Sequence, residues 1–197
     1  MVQPLFVVTE LLALAAFVGP YSLVDNTISD LGATSCTDIA YPRGPVPVCS
    51  PWHGLVNAGF VGGGLLLVVG AVAVRRLLPP GRLGVVAVVL WVVGGLSSVA
   101  TGLVPIDRDL ELHVLVSSPV FLAQPVAMLL TGVLLRRTRP GLGRACLALG
   151  VVGLAAGLLV FAWLEAPALG FLERVALWPG YVLPCLLALA LLRRPAR

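Results

Sequence analysis

Apolar stretches of about 20 residues recur along this chain and alternate with short polar links, and about 20 such residues form an α-helix long enough to cross a bilayer. Because 59% of the residues are hydrophobic and only 11% are charged, the chain lacks the polar surface that a soluble domain needs. We therefore predict an all-α fold, a six-helix transmembrane bundle that forms one integral membrane domain over residues 1–197. The predicted spans are about 4–24, 52–74, 83–104, 114–135, 145–164 and 175–192.

Charge divides the polar links into two sets. Ten of the thirteen basic residues, and no acid, lie in 75–82, 136–144 and 193–197. Eight of the nine acids lie in 25–51, 105–113 and 165–174. Since short arginine-rich links stay in the cytoplasm, we predict a multi-pass protein of the inner (plasma) membrane with both termini inside. The net charge of +4 then reflects topology and anionic head groups, so we expect membrane lipid, and no nucleic acid, as a partner.

The longest link, residues 25–51, is rich in proline and glycine, which predicts an irregular loop rather than a helix. It contains Cys36 and Cys49. Two cysteines that share one loop outside the membrane are expected to form a disulfide, because that compartment is oxidising. Cys146 and Cys185 fall within spans, where we expect them to be buried as small apolar residues.

Both histidines lie near predicted outer ends of spans, His53 at the start of the second and His113 just before the fourth. Together with Asp30 and Asp107 they are the predicted catalytic residues, because a histidine beside a carboxylate makes an acid–base pair that works near neutral pH. The alternative is that each histidine only caps a helix or binds a head group. Zinc held by the histidines and one aspartate is a further alternative, but no HxxxH or HExxH spacing supports it, so no metal or other cofactor is predicted.

These positions lead to the hypothesis of one shared outer pocket, since all of them fall at one membrane depth in the predicted topology. Its predicted lining is Asp30, His53, Asn57, Asp107 and His113. The predicted substrate-binding residues on the same side are Asn26, Asn57, Glu165 and Arg174. Nucleophilic catalysis has weaker support, because no serine lies in a GxSxG elbow. The serines available for it are Ser22, Ser29, Ser50, Ser97, Ser98, Ser117 and Ser118.

Two charged residues stand apart from these sets. Glu10 lies within the first predicted span, where a carboxylate is costly and therefore marks a functional site, unless it is protonated or reaches the inner interface. Glu173 and Arg174 are expected to act structurally at the outer start of the sixth span. Arg174 lies on the acidic side, so we expect it to pair with Asp107, Asp109 or Glu165, or to meet an anionic ligand.

Four stretches taken together resemble the bacterial membrane family known as domain of unknown function 998. In order they are Tyr21-Ser22 followed by NTISDLG (26–32), NAGF (57–60), GLVPID (102–107) with His113, and GFLER (170–174). The resemblance covers most of the chain. It implies a six-span protein whose polar motif residues gather at one membrane face, and it implies no particular reaction.

Three functions remain open at this stage. The first is an acid–base enzyme that acts on a lipid or isoprenoid-like substrate from the outer leaflet. The second is a non-catalytic protein that binds a lipid or a membrane partner. The third, a small transporter, requires polar groups through the midplane, and the chain offers Glu10, Gln124 and a few hydroxyl side chains for that purpose.

Overall fold

The structure, a computed structural model, describes residues 5–162 and 167–192. It is a bundle of six helices with one small hairpin, as the sequence predicts for the fold class. The helices are α1 (Leu5–Ala15), α2 (His53–Val74), α3 (Arg82–Leu103), α4 (Leu110–Leu135), α5 (Pro140–Ala162) and α6 (Leu169–Leu192). Helices α2 to α6 are long and apolar enough to cross a membrane, so the protein is a multi-pass membrane protein.

Helix α1 is shorter than the predicted first span, which extended to residue 24. It ends at Ala15, and the chain then turns through Gly19, whose φ of 99° is in the left-handed region, into Pro20. Glycine permits this backbone conformation and proline cannot continue a helix. The eleven described residues of α1 rise about 16 Å, too little to cross a bilayer by themselves.

Helices α4, α5 and α6 begin earlier than predicted, at Leu110, Pro140 and Leu169. Asp109 accounts for the first of these starts, because its side chain accepts a hydrogen bond from the backbone nitrogen of Leu112 at 2.9 Å and so caps α4. The earlier start of α6 places the GFLER motif inside the helix rather than before it.

The long link is not the irregular loop that its prolines indicated. It contains a 3₁₀ helix, Ser29–Gly32, and an antiparallel hairpin of β1 (Thr37–Tyr41) and β2 (Gly44–Val48). Pro45 lies opposite Ala40 and Pro47 opposite Asp38. Proline is tolerated because each strand of a two-stranded hairpin has a free edge.

A disulfide between Cys36 and Cys49, as predicted, joins the two ends of the hairpin. Ile39 and Val48 of the hairpin pack in a buried cluster with Ala33 and Ile106. The hairpin therefore lies over one end of the bundle, called the hairpin end below. The opposite end, which carries the links 75–81 and 136–139, is called the arginine end.

Consecutive helices from α2 to α6 pack as neighbours, and α6 also contacts α2 and α4. Helices α2 and α3 approach each other closely at Gly64 and Gly95, where a β-carbon on Gly95 would lie 2.8 Å from the carbonyl oxygen of Gly64. Only residues without side chains allow membrane helices to come this close. A cavity lies elsewhere in the bundle, between α4, α5 and α6.

Candidate functional site

The NTISDLG segment, residues 26–32, is entirely buried at the hairpin end. Asp30 holds it together, because its side-chain oxygens accept hydrogen bonds from Asn26 Nδ2 at 3.1 Å, the Thr27 backbone nitrogen at 2.9 Å and the Tyr41 hydroxyl at 2.6 Å. Burial, together with the nearby charge of Asp30, raises the pKa of Tyr41 well above its usual value, so its hydroxyl remains a donor at neutral pH. Tyr41 thus joins the hairpin to this segment.

Ser29 and His113 form a hydrogen-bonded pair beneath the hairpin. His113 Nε2 lies 2.9 Å from Ser29 Oγ, and Nδ1 lies 2.6 Å from the carbonyl oxygen of Val104. A backbone carbonyl can only accept, so Nδ1 carries a hydrogen, and in the neutral ring Nε2 is then the acceptor for the Ser29 hydroxyl. This is the arrangement of a hydroxyl nucleophile beside its base, with the base oriented by a third group.

Glu173 of α6 also contacts the NTISDLG segment. It is buried, and its Oε2 accepts a hydrogen bond from the backbone nitrogen of Ile28 at 2.5 Å. This bond fixes the residue that precedes Ser29.

A cavity of about 70 Å³ opens at the Ser29–His113 pair, between α4, α5 and α6. Its polar lining is Thr27, Ser29, Tyr41, His113, Ser117 and Glu173. Its apolar lining is Ile106, Val114, Phe121, Val160, Phe161 and Leu169. The cavity therefore has a polar end at the hairpin and an apolar side within the bundle.

A second space, of about 10 Å³, adjoins the first and shares Ser29, Ser117, Phe121 and Glu173 with it. It leads toward Ser98, whose hydroxyl lies 3.0 Å from the Tyr181 hydroxyl. At this size it admits about one water molecule.

Arg174 is paired with Glu10, and the predicted pairing with Asp107 or Asp109 is wrong, while Glu165, the third predicted partner, lies outside the described residues. Its Nε lies 2.8 Å from Glu10 Oε1, and the other carboxylate oxygen accepts from Trp178 Nε1 at 3.0 Å. The pairing follows from the early end of α1 and the early start of α6, which together bring Glu10 level with Arg174.

The remaining nitrogens of Arg174 hold the loop that precedes the NTISDLG segment. Nη1 donates to the carbonyl oxygens of Leu23, Asn26 and Gly170, and Nη2 donates to the Tyr21 hydroxyl at 2.7 Å. All three guanidinium nitrogens thus have partners within the protein. Arg174 therefore holds the loop that leads into the NTISDLG segment and does not line the cavity beside Ser29.

The family model for "Protein of unknown function (DUF998)" matches residues 2–190, which is nearly the whole chain. The chain belongs to the DUF998 family. This confirms the resemblance found in the sequence motifs. No curated protein and no solved structure matches the chain.

Asp107 of this DUF998 protein forms hydrogen bonds with the residues just before the hairpin rather than with a histidine. Its oxygens accept from the Thr34 backbone nitrogen at 2.8 Å, the Thr34 hydroxyl at 2.9 Å and the Ser35 hydroxyl at 2.8 Å. Partial burial opposes the charge of Asp107, but these hydrogen bonds outweigh it and lower its pKa below the usual value. Asp107 joins two links at the hairpin end.

The second predicted histidine and the predicted binding residues are placed differently. His53 begins α2, makes no side-chain hydrogen bond to the described part of the chain and lines neither of the two spaces at Ser29. Asn57 Nδ2 donates to the carbonyl oxygen of Gly32 at 2.8 Å and so positions the end of the 3₁₀ helix. Asn26 bonds Asp30, as described, and Glu165 lies outside the described residues.

Of the five residues of the predicted pocket, only His113 lines the cavity. Asp30 does not line it but accepts a hydrogen bond from Tyr41, which does. Sequence reasoning did not single out Tyr41, named Ser29 only as one of seven serines, and expected a structural role for Glu173. Ser29 and Glu173 do fall within the NTISDLG and GFLER motifs, so the motifs contained the signal. Within residues 5–162 and 167–192, no group of three or more His, Cys, Asp or Glu side chains could hold a metal ion.

Proposed function

We propose that this DUF998 protein is a membrane enzyme that transfers or hydrolyses an acyl group of a lipid, with Ser29 as nucleophile and His113 as general base. The observation that carries the proposal is the 2.9 Å contact between Ser29 Oγ and His113 Nε2 at the mouth of a cavity. The bond of Nδ1 to Val104 supplies the fixed tautomer that such a base needs.

The proposed reaction has two steps. Ser29 Oγ attacks the carbonyl carbon of an ester while its proton passes to His113 Nε2, and His113 then gives this proton to the oxygen of the departing alcohol. In the second step, a water molecule or a second alcohol attacks the acyl group on Ser29, and His113 accepts and returns a proton in the same way. The Ser29 hydroxyl is regenerated.

The surroundings of the cavity support a lipid as the source of the ester. Its apolar side is formed by α4 and α5, and Val114 on that side is also 38% exposed on the surface of a membrane-spanning helix. A lipid can therefore present an ester to Ser29 from the side without leaving the bilayer. In this proposal Asp30 and Glu173 position Ser29, while His53 and Asp107 do not take part in the reaction.

A fluorophosphonate reagent tests the proposal because it reacts covalently with activated serines and needs no known substrate. We expect one adduct, mapped by mass spectrometry to Ser29, in the purified wild-type protein. Ser29→Ala should abolish the adduct. His113→Asn, which keeps a donor near Val104 but removes the base, should slow labelling by about 10²-fold or more.

Ser117→Ala is the matched control, since Ser117 lines the same cavity but its hydroxyl bonds the carbonyl oxygen of Val114 and not His113. This variant should label at the wild-type rate. Absence of labelling in folded wild-type protein, or equal labelling of His113→Asn, would refute the enzyme proposal. Lipid that co-purifies with a protein that does not label would favour the non-catalytic binding function instead.

A further inference from the structure

We infer that the acyl group transferred to Ser29 is short, about two to four carbons, and that it comes from an uncharged ester of a membrane-inserted alcohol. This inference rests on the proposed function and specifies its substrate class. It depends on three features of the cavity: its volume, the small size of the space at its inner end and the lack of Arg or Lys among the described residues of its lining.

The volume limits the number of carbons that the cavity encloses. Pockets that enclose whole small molecules measure roughly 300–1,000 Å³, whereas this cavity measures about 70 Å³. A buried cavity of about 150 Å³ holds one benzene molecule, which has six carbons. By proportion, about 70 Å³ accommodates roughly three carbons beside Ser29.

The inner end of the cavity does not allow a longer chain to continue into the bundle. The rings of Phe121 and Phe161 meet edge to face at 5.7 Å between centroids on the apolar side. The adjoining space measures about 10 Å³ and is lined by Ser98 and Tyr181. A space of this size holds about one water molecule and is too small for an acyl tail.

The charge of the lining argues against an anionic reacting group. None of the described residues that line the cavity is Arg or Lys, and its one acidic side chain among them is the buried Glu173. Arg174, the neighbouring cation in sequence, is directed to Glu10 and to the loop at Leu23. A phosphate placed beside Ser29 would therefore have no Arg or Lys of the cavity lining to pair with, whereas a neutral ester needs no cation and would meet hydroxyl and imidazole groups.

Two alkyl fluorophosphonates, one with an ethyl and one with a dodecyl chain on phosphorus, test the inference, since the alkyl group occupies the place of the acyl chain. In purified wild-type protein in detergent, we expect the ethyl reagent to label Ser29 at least about tenfold faster than the dodecyl reagent. Intact-mass measurements over time give both rates.

Phe161→Ala enlarges the cavity and should reduce this preference by about tenfold or more, with Val160→Ala as a second variant should the first fail to fold. Phe171→Ala is the matched control, because Phe171 is an exposed phenylalanine of α6 that does not line the cavity. It should keep the wild-type preference.

The possible outcomes separate the two proposals. Equal rates for both reagents, or faster labelling by the dodecyl reagent, would overturn the short-chain inference while the nucleophile at Ser29 stands. If neither reagent labels Ser29, the proposed function fails and the inference fails with it.

Discussion

Removing one partner of the buried Arg174–Glu10 pair should destabilise the protein strongly. Both side chains are at least 95% buried, and the guanidinium holds the carboxylate at 2.8 Å. Arg174→Met leaves the Glu10 carboxylate without its cation and removes hydrogen bonds to three backbone carbonyls. Loss of one member of a buried ion pair costs about 3–5 kcal/mol. For a chain of this size that corresponds to a decrease in Tm of roughly 6–20 °C.

A double-mutant cycle separates the ion pair from the packing around it. Glu10→Met alone leaves the guanidinium with its carbonyl partners, and the combination Arg174→Met with Glu10→Met leaves no unpaired charge. We therefore expect the double variant to melt at or above the temperature of Arg174→Met, so the two effects are not additive. Unfolding in detergent can be followed with a thiol-reactive dye, because Cys146 is a buried free cysteine.

Arg108→Met is the matched control for this experiment. Arg108 is exposed, and its Nε donates to the Thr34 hydroxyl at 2.8 Å. Loss of such a surface contact should change the free energy of unfolding by less than about 1 kcal/mol. The reasoning is refuted if Arg174→Met melts within about 2 °C of wild type, or if the two single effects simply add in the double variant.

Three further predictions concern the hairpin end and the topology. Because folding lowers the pKa of Asp107, its contribution to stability is present above the ordinary pKa of 3.8 and is lost as the pH falls through the lower folded pKa. The Tm difference between wild type and Asp107→Asn should therefore shrink below pH 3.8. A Tm difference that stays constant with pH contradicts this prediction. Replacing Cys36 and Cys49 with serine should cost about 3 kcal/mol, given their separation of 13 residues, and a lowered Tm should appear equally in wild type treated with a reductant. A reporter fused after Arg197 should be active only as a cytoplasmic fusion, and activity on the other side of the membrane contradicts the predicted orientation.

The membrane-spanning helices were predictable from sequence because each apolar run forms its helix independently of the rest of the chain. A run of about 20 apolar residues must cross the bilayer whatever its neighbours do. The early end of α1 is different, since it depends on how Gly19 and Pro20 redirect the chain. The hairpin was not predicted because proline is usually a sign of irregular structure, and only the register that puts Pro45 and Pro47 in a two-stranded sheet makes it compatible with strands.

The candidate site was only partly predictable, because it depends on contacts between residues that are far apart in the sequence. His113 and Asp30 were identified by chemistry and membrane depth, which sequence supplies. Ser29 was one of seven serines with equal claims, and what distinguishes it is a contact across 84 positions of the chain. The partner of Arg174 lies 164 positions away, and no local pattern specifies a pair at that distance.

The ion pair between Glu10 and Arg174 joins the first helix to be synthesised to the last. The carboxylate of α1 leaves the ribosome 164 residues before the guanidinium of α6. At about 5–20 residues per second, that interval is roughly 8–33 s. Throughout it Glu10 has no cation to accompany it into hydrocarbon, where a lone charge is costly. We therefore expect the first helix to be made to be among the last to reach its final packing, because its carboxylate gains the Arg174 guanidinium only after α6 has been synthesised.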